Sequence, residues 1–167
     1  MMPAAPLILF VCSANACRSP MAAAIARAYA RDAGIALRVA SAGTATRPGY
    51  CAAAAAQDAM AEVGISLADH RSQPVSRALM QDAALVVTAT DRQKETLRLF
   101  FSWMAARILS FGDISGRNDL ADPIGGDSAG FRTTRDLLCA EMPRIIAALD
   151  RCARAHSGDG GHQGPSR

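Results

Sequence analysis

The stretch at residues 7–21, LILFVCSANACRSPM, constrains the fold of this chain more than any other. An apolar run over residues 7–11 ends at Cys12, and a loop of small residues follows it. Ser19 and Pro20 then open an alanine-rich helix, because serine is a favoured N-cap and proline suits the first helical position. The stretch therefore predicts a strand, a tight loop and a helix, with a cysteine at the end of the strand.

The predicted loop has the features of an anion-binding site. Backbone N–H groups in front of a helix N-terminus converge on one point and bind anions. The guanidinium of Arg18 adds a planar fork for two oxygens of a tetrahedral oxyanion. The thiol of Cys12 lies at the base of the loop, where the same positive potential favours the thiolate. We expect a bound phosphate to contact the loop residues Ser13, Ala14, Asn15, Ala16, Cys17 and Arg18.

The pattern of Cys12, five further residues, Arg18 and Ser19 resembles the low-molecular-weight protein tyrosine phosphatase family, which also includes protein arginine phosphatases and thiol-dependent arsenate reductases. The residues that match are Val11, Cys12, Asn15, Cys17, Arg18, Ser19, Pro20 and Met21. The resemblance covers about residues 6–152. It implies an α/β fold, a doubly wound, flavodoxin-like, four-stranded parallel sheet in the order 2-1-3-4 with helices on both faces. A buried structural cysteine is the plainer alternative, but it does not explain Arg18.

The other elements are predicted from apolar patterns and turn residues. The predicted strands cover residues 7–11, 35–40, 84–88 and 107–109. The predicted helices cover residues 19–33, 51–63, 74–81, 92–101 (with Asp91 as its cap) and 131–154. This alternation predicts a parallel sheet whose ligands bind at the carboxyl ends of the strands. We expect one phosphatase domain at residues 1–154 and a disordered C-terminal tail at residues 155–167.

The composition limits the partners of the chain. A net charge of +3 over 167 residues is too small and too dispersed to indicate nucleic acid. No apolar segment is long enough to span a membrane, and the start of the chain lacks a signal-peptide pattern. The five cysteines are odd in number and match no zinc pattern. We therefore expect a cytoplasmic protein that binds neither nucleic acid nor membranes.

The long loop at residues 111–130 holds the candidates for a catalytic acid. A cysteine that displaces a phosphate needs an acid to protonate the leaving atom. Asp122, which Pro123 follows, resembles the general acid of the phosphatase family. Three other aspartates of the loop are its competitors, namely Asp119, Asp127 and, more weakly, Asp113.

These residues predict a two-step reaction without a metal or other cofactor. Cys12 attacks phosphorus while Asp122 protonates the leaving group, which gives a phosphocysteine intermediate. The ionised Asp122 then activates a water that hydrolyses this intermediate, and Arg18 with the loop N–H groups holds the phosphate oxygens. The substrate is a phosphorylated protein or a small phosphoester, and the product is inorganic phosphate.

Several residues fit supporting roles. Ser19 can form a hydrogen bond with the Cys12 sulfur, and asparagine at position 15 tolerates a left-handed backbone. The resemblance implies that Ser41 and His70 hold Asn15, so His70 is structural rather than an acid or base. It also implies a redox role for the second cysteine of the loop. A reversible disulfide between Cys17 and Cys12 would protect the nucleophile from irreversible oxidation. The alternative is that Cys17 is only a small buried residue.

The residues after Asp122 and around Tyr50 bear on which phosphorylated residue the chain accepts as substrate. Tyrosine phosphatases of this family commonly carry aromatic residues after the Asp-Pro pair, but Ile124 and two glycines follow it here, as in bacterial arginine phosphatases. We expect Tyr50 and Ile124 to line the substrate pocket. Phosphotyrosine leads narrowly over phosphoarginine. An arsenate reductase ranks lower because no cysteine lies between Cys51 and Cys139. The complete catalytic set opposes a non-catalytic anion-binding module.

Overall fold

The computed structural model describes residues 4–157. The strands are β1 (Leu7–Cys12), β2 (Arg38–Gly43), β3 (Ala83–Thr88) and β4 (Ile108–Ser110). The α-helices are α1 (Arg18–Ala33), α2 (Ala54–Ala61), α3 (Arg77–Asp82), α4 (Asp91–Phe100), α5 (Phe111–Ser115) and α6 (Ser128–Ser157), and a 3₁₀ helix covers Ser102–Arg107.

The strands form one parallel sheet in the order β2-β1-β3-β4. This order confirms the predicted doubly wound α/β layout. All six residues of β1 are buried, because the strand has a neighbour on each side and helices cover both faces of the sheet. Each fully buried leucine or isoleucine of such a strand contributes about 1.5–3 kcal/mol relative to an exposed one.

The side chains of β1 alternate between two apolar layers, as the strand period requires. Ile8, Phe10 and Cys12 belong to the cluster that includes residues of α1, α2 and α6. Leu7, Leu9 and Val11 belong to the opposite cluster, with residues of α3 and α4. The alanines of α1 let this helix approach the sheet closely. The Cys12 thiol thus lies on the face of the sheet that α1 covers.

Helix ends differ in detail from those predicted. Helix α1 begins at Arg18 rather than Ser19, and the Ser19 hydroxyl does not cap it. Thr90, not Asp91, caps α4 through a capping box with Gln93. The closing helix begins three residues early, because Asp127 Oδ1 accepts a hydrogen bond from Gly130 N over 3.2 Å and forms the cap.

The structure describes the C-terminal end of the chain as far as residue 157. The backbone of α6 extends to Ser157, and the rest of the predicted tail at residues 155–167 lies outside the described residues. Between residues 4 and 157, none of the helices combines the length and the apolar character that crossing a bilayer requires.

Candidate active site

The loop between β1 and α1 lies at the carboxyl end of the sheet, where parallel α/β sheets bind ligands. Its conformation depends on Asn15, which has a left-handed backbone with φ of 54°. Non-glycine residues adopt this region rarely, and asparagine does so more readily than most. The left-handed residue lets the chain turn between Cys12 and the first residue of α1.

Asn15 is fully buried and holds the loop to three other segments. Its Nδ2 donates to Ser19 Oγ over 2.8 Å and to Ser41 Oγ over 2.9 Å. Its Oδ1 accepts from the backbone N of Gln73 over 3.0 Å. Its backbone carbonyl lies 2.7 Å from Nε2 of His70. The structure therefore brings Asn15 together with Ser19, Ser41 and His70, and the contacts of Ser41 and His70 are those that the family resemblance implies.

The sulfur of Cys12 lies 3.0 Å from Ser19 Oγ. Ser19 Oγ already accepts a hydrogen from Asn15, so its own proton is available to the sulfur or to the Ala42 carbonyl at 3.4 Å. A hydroxyl that donates to sulfur stabilises the thiolate. The Asn15–Ser19 contact therefore orients Ser19 as a donor toward the Cys12 sulfur.

The guanidinium of Arg18 connects the loop to the segment that holds the predicted acid. Nη1 donates to the Leu120 carbonyl over 3.1 Å, and Nη2 lies 3.2 Å from Asp122 Oδ2. The Leu120 amide donates in turn to the Ala89 carbonyl at the end of β3 over 2.9 Å. Arg18 is buried, whereas the side chain of Asp122 is 52% exposed and reachable from solvent.

The competing aspartates have other partners. Asp119 Oδ1 accepts from the Asp91 amide over 2.9 Å, and Asp127 caps α6. Asp113 pairs with Lys94 Nζ at 2.9 Å. Asp122 is the one of the four that contacts Arg18.

A family model described as low molecular weight phosphotyrosine protein phosphatase matches residues 7–155. The chain belongs to this family. Protein-arginine-phosphatase of Bacillus subtilis (strain 168) is 35% identical over 142 residues, covering 84% of this chain and 93% of that protein. Low molecular weight protein-tyrosine-phosphatase Wzb of Escherichia coli (strain K12) is 30% identical over 147 residues, covering 88% and 90% respectively.

Solved structures agree with this assignment. The crystal structure of a YwlE mutant from Bacillus subtilis matches with a TM-score of 0.82 and 31% sequence identity. The match covers 87% of this chain and 99% of that chain. The predicted family and fold are therefore confirmed, and the chain is a phosphatase of the hydrolase class.

The imidazole of His70 contacts the loop at residues 13–17, here called the phosphatase loop, at the backbone carbonyl of Asn15. Burial lowers the pKa of His70, the positive charges of Arg27 and Arg71 lower it further, and the hydrogen bond to Asn15 opposes this change. The ring is therefore neutral at pH 7. Because the Asn15 carbonyl can only accept, the neutral ring carries its proton on Nε2.

Cys17, the second cysteine of the loop, is buried. Burial raises the pKa of the Cys17 thiol to about 12. The negative charges of Asp122 and Cys12 add to this rise, and the Arg18 guanidinium opposes it. Cys17 is therefore a thiol at neutral pH, and both loop cysteines are free.

Three residues that the sequence analysis did not single out also hold the loop. A Cβ on Gly43 would lie 2.5 Å from the Ser13 carbonyl oxygen, so only glycine fits there. Gln73 contributes its backbone amide to Asn15, and Gln93 Nε2 donates to Ser13 Oγ over 3.0 Å. The Thr-x-x-Gln capping signature at the start of α4 is the sequence signal that could have identified Gln93.

The predicted pocket residues lie on exposed segments. Tyr50 is 59% exposed and Ile124 is 53% exposed. The segment after Tyr50 approaches the phosphatase loop, because the Ala53 amide donates to the Ala16 carbonyl over 2.9 Å. Ile124 follows Asp122 directly after the proline, and its amide donates to Asp122 Oδ1 over 3.1 Å. Both positions are compatible with a pocket rim.

Proposed function

We propose that this phosphatase hydrolyses phosphotyrosine-type phosphomonoesters through a phosphocysteine intermediate. Cys12 is the nucleophile, Arg18 binds the phosphate and Asp122 is the general acid. The observation that carries the proposal is the position of Arg18, which starts the helix after the Cys12 loop and contacts Asp122 at 3.2 Å. One side chain thus links the phosphate loop to the acid.

In the first step, the Cys12 thiolate attacks phosphorus in line with the leaving oxygen. The P–O bond breaks, and Asp122 transfers its proton to that oxygen. The loop N–H groups and Arg18 stabilise the charge on the equatorial oxygens. A dianionic substrate competes with Asp122 for Arg18, which frees the Asp122 carboxyl group to face the leaving oxygen. The Arg18–Asp122 contact is therefore a resting contact that the substrate replaces.

In the second step, water attacks the phosphocysteine. Asp122, now a carboxylate, takes a proton from this water, and the P–S bond breaks. Cys12 leaves as a thiolate, which the Ser19 hydroxyl at 3.0 Å stabilises. Inorganic phosphate is released, and no metal takes part. Because a thiol nucleophile needs a reducing compartment, we place the reaction in the cytoplasm.

A specific observation favours phosphoarginine as a second candidate substrate. The residues after Asp122 are proline, isoleucine and two glycines, so this loop offers no aromatic surface to a phenol ring. Tyr50 is the aromatic residue predicted at the rim. The Bacillus subtilis relative at 35% identity is named a protein-arginine-phosphatase.

A side-by-side assay tests the proposal. Wild type is given para-nitrophenyl phosphate, a phosphotyrosine peptide and a phosphoarginine peptide, and a further sample receives arsenate with thioredoxin. We expect chelator-insensitive hydrolysis, the loss of all turnover in Cys12→Ser and normal turnover in Cys51→Ser, whose cysteine is exposed. Acid quenching during turnover is expected to trap phosphate on Cys12.

Full activity of Cys12→Ser would refute the proposed mechanism. Reduction of arsenate without hydrolysis of any phosphate compound would make the protein an arsenate reductase. The ratio of the two peptide rates decides between the tyrosine and arginine substrates.

A further inference from the structure

A groove of about 540 Å³ opens beside the phosphatase loop. Its volume is within the range of about 300–1,000 Å³ that is typical of sites for small ligands. The loop, the segment after β2 and the first turns of α4 contribute its lining, which is Ser13, Arg18, Thr44, Thr90, Arg92, Gln93 and Thr96. A phosphorylated side chain bound to Arg18 is therefore adjacent to this groove.

The charge of the groove is positive, because its lining contains two arginines and no carboxylate. Arg18 is engaged with Asp122 and Leu120. Arg92 is exposed, and within residues 4–157 its guanidinium has no ion pair or hydrogen-bond partner. Arg92 is thus the available charge of the groove.

The polar neighbours of Arg92 are already occupied. The Thr90 hydroxyl accepts a hydrogen bond from the backbone amide of Gln93. The side chain of Gln93 accepts from the Thr90 backbone amide through Oε1 and donates to Ser13 Oγ through Nε2. The Thr96 hydroxyl donates to the Arg92 carbonyl over 2.9 Å. These contacts fix the groove wall and leave the guanidinium free for a ligand.

Asp91, the residue before Arg92, is acidic and lies in a different groove. Asp91 Oδ1 accepts from Lys94 Nζ over 3.0 Å, and Lys94 also pairs with Asp113. A second groove on that side contains Asp91, Asp113 and Asp119. The first turn of α4 therefore separates a basic groove next to Arg18 from a more acidic one.

We infer that Arg92 is a specificity-determining residue that binds an acidic side chain close to the phosphorylated residue of a protein substrate. The inference rests on the proposed function, because it requires that the phosphate occupies the loop at Arg18. A guanidinium binds a carboxylate through paired N–H donors, so Arg92 is expected to select aspartate or glutamate over a neutral side chain. The N-terminal end of α4 adds a partial positive charge.

The size of the effect follows from the exposure of Arg92. Exposed ion pairs are weak, so we expect an acidic neighbour to raise kcat/KM by about two- to fivefold. The gain lies in KM rather than kcat, since the contact is the same in the bound substrate and in the transition state. It decreases at high salt, because the pair is screened.

The experiment uses phosphopeptides with the phosphorylated residue that the wild type hydrolyses. Aspartate, alanine or lysine is placed in turn at each of three positions before and after that residue. For every enzyme the measured quantity is the ratio of kcat/KM values between the aspartate and alanine peptides. This ratio does not depend on the fraction of enzyme that is folded.

We expect the wild type to prefer aspartate, Arg92→Gln to lose the preference and Arg92→Glu to prefer lysine. The control is Arg31→Glu, which makes the same charge change in the last turn of α1 and leaves the ratio unchanged. Equal ratios for wild type and Arg92→Glu would overturn the inference. A wild-type preference for lysine would also overturn it and would direct the peptide to the groove of Asp91. Failure of wild type to hydrolyse para-nitrophenyl phosphate would count against the proposed function instead.

Discussion

The Nε2 atom of His70 and the backbone carbonyl of Asn15 lie 2.7 Å apart, although 55 positions separate these residues in the chain. The contact holds the one non-glycine residue with positive φ among residues 4–157. The imidazole therefore stabilises the left-handed backbone of Asn15 in the phosphatase loop.

This contact predicts a pH dependence of stability. Burial lowers the pKa of His70 in the folded protein. The unfolded chain therefore binds a proton at His70 near pH 6.5, whereas the folded protein does so only at a lower pH. His70 therefore contributes its full stabilisation well above pH 6.5, and the free energy of unfolding falls as the pH drops through 6.5 toward 5.5. Urea unfolding at several pH values measures the slope. We expect His70→Gln, which keeps a donor but does not titrate, to flatten it; an identical slope would contradict the prediction.

Asn15 is expected to be essential for the stability of the loop. Asn15→Ala places alanine in a left-handed conformation and leaves Ser41 and the Gln73 amide without their partner. We expect a loss of about 2–4 kcal/mol in the free energy of unfolding. Urea denaturation measures it, with Asn118→Ala as the control because Asn118 is exposed. Equal stability of the two variants would argue against the role of Asn15.

Asp122 is expected to affect the chemical step. Asp122→Ala should lower kcat by about 10²- to 10⁴-fold with little change in KM. The loss should grow with the pKa of the leaving group, since a poor leaving group depends more on the acid; a series of aryl phosphates tests this. Asp119→Ala and Asp127→Ala are the matched controls. A greater loss of kcat in either of them than in Asp122→Ala would identify that aspartate as the general acid instead.

Gly43 is expected to tolerate no side chain. In Gly43→Ala the new Cβ would lie 2.5 Å from the Ser13 carbonyl oxygen and 2.8 Å from Thr46 Cγ2, so the loop backbone must shift. We expect destabilisation of about 1–3 kcal/mol and a reduced kcat. Gly130→Ala is the control, because its Cβ would meet Pro123 Cβ at an ordinary 3.7 Å. Thermal unfolding and kinetics that do not distinguish the two variants would refute this prediction.

Cys17 is expected to determine whether oxidation is reversible. Peroxide converts the Cys12 thiolate to a sulfenic acid, which condenses with the Cys17 thiol to form a disulfide and water. In wild type, dithiothreitol should restore the activity that peroxide removes. In Cys17→Ser this recovery should be largely absent. Mass spectrometry of the oxidised protein would reveal the disulfide. Equal recovery in both proteins would show that Cys17 is only a packing residue.

The sequence predicted β1, β3 and β4 to within one residue at each end, because these strands are short apolar runs between turn residues. It placed β2 at residues 35–40, three residues too early, because the strand at Arg38–Gly43 has no continuous apolar run. It was less accurate at helix ends, where side-chain hydrogen bonds decide the first residue. Ser19 illustrates this limit, since its hydroxyl contacts Cys12 and Asn15 instead of capping α1. The cap of α4 was misassigned by one residue, because Thr90 and Asp91 are both good caps and only Thr90 has Gln93 three positions on.

The sequence by itself determined the strand, loop and helix of residues 7–33 and the placing of Cys12 and Arg18 at the two ends of the loop, because these features are adjacent in the chain. Only the tertiary structure decided which distant groups complete the site. The contact of Asn15 with Ser41 spans 26 positions and that of Arg18 with Asp122 spans 104. Such contacts depend on the strand order and on the path of long loops, which local patterns do not encode. For the same reason the fit of Gly43 and the free Arg92 beside the loop became evident only in the folded chain.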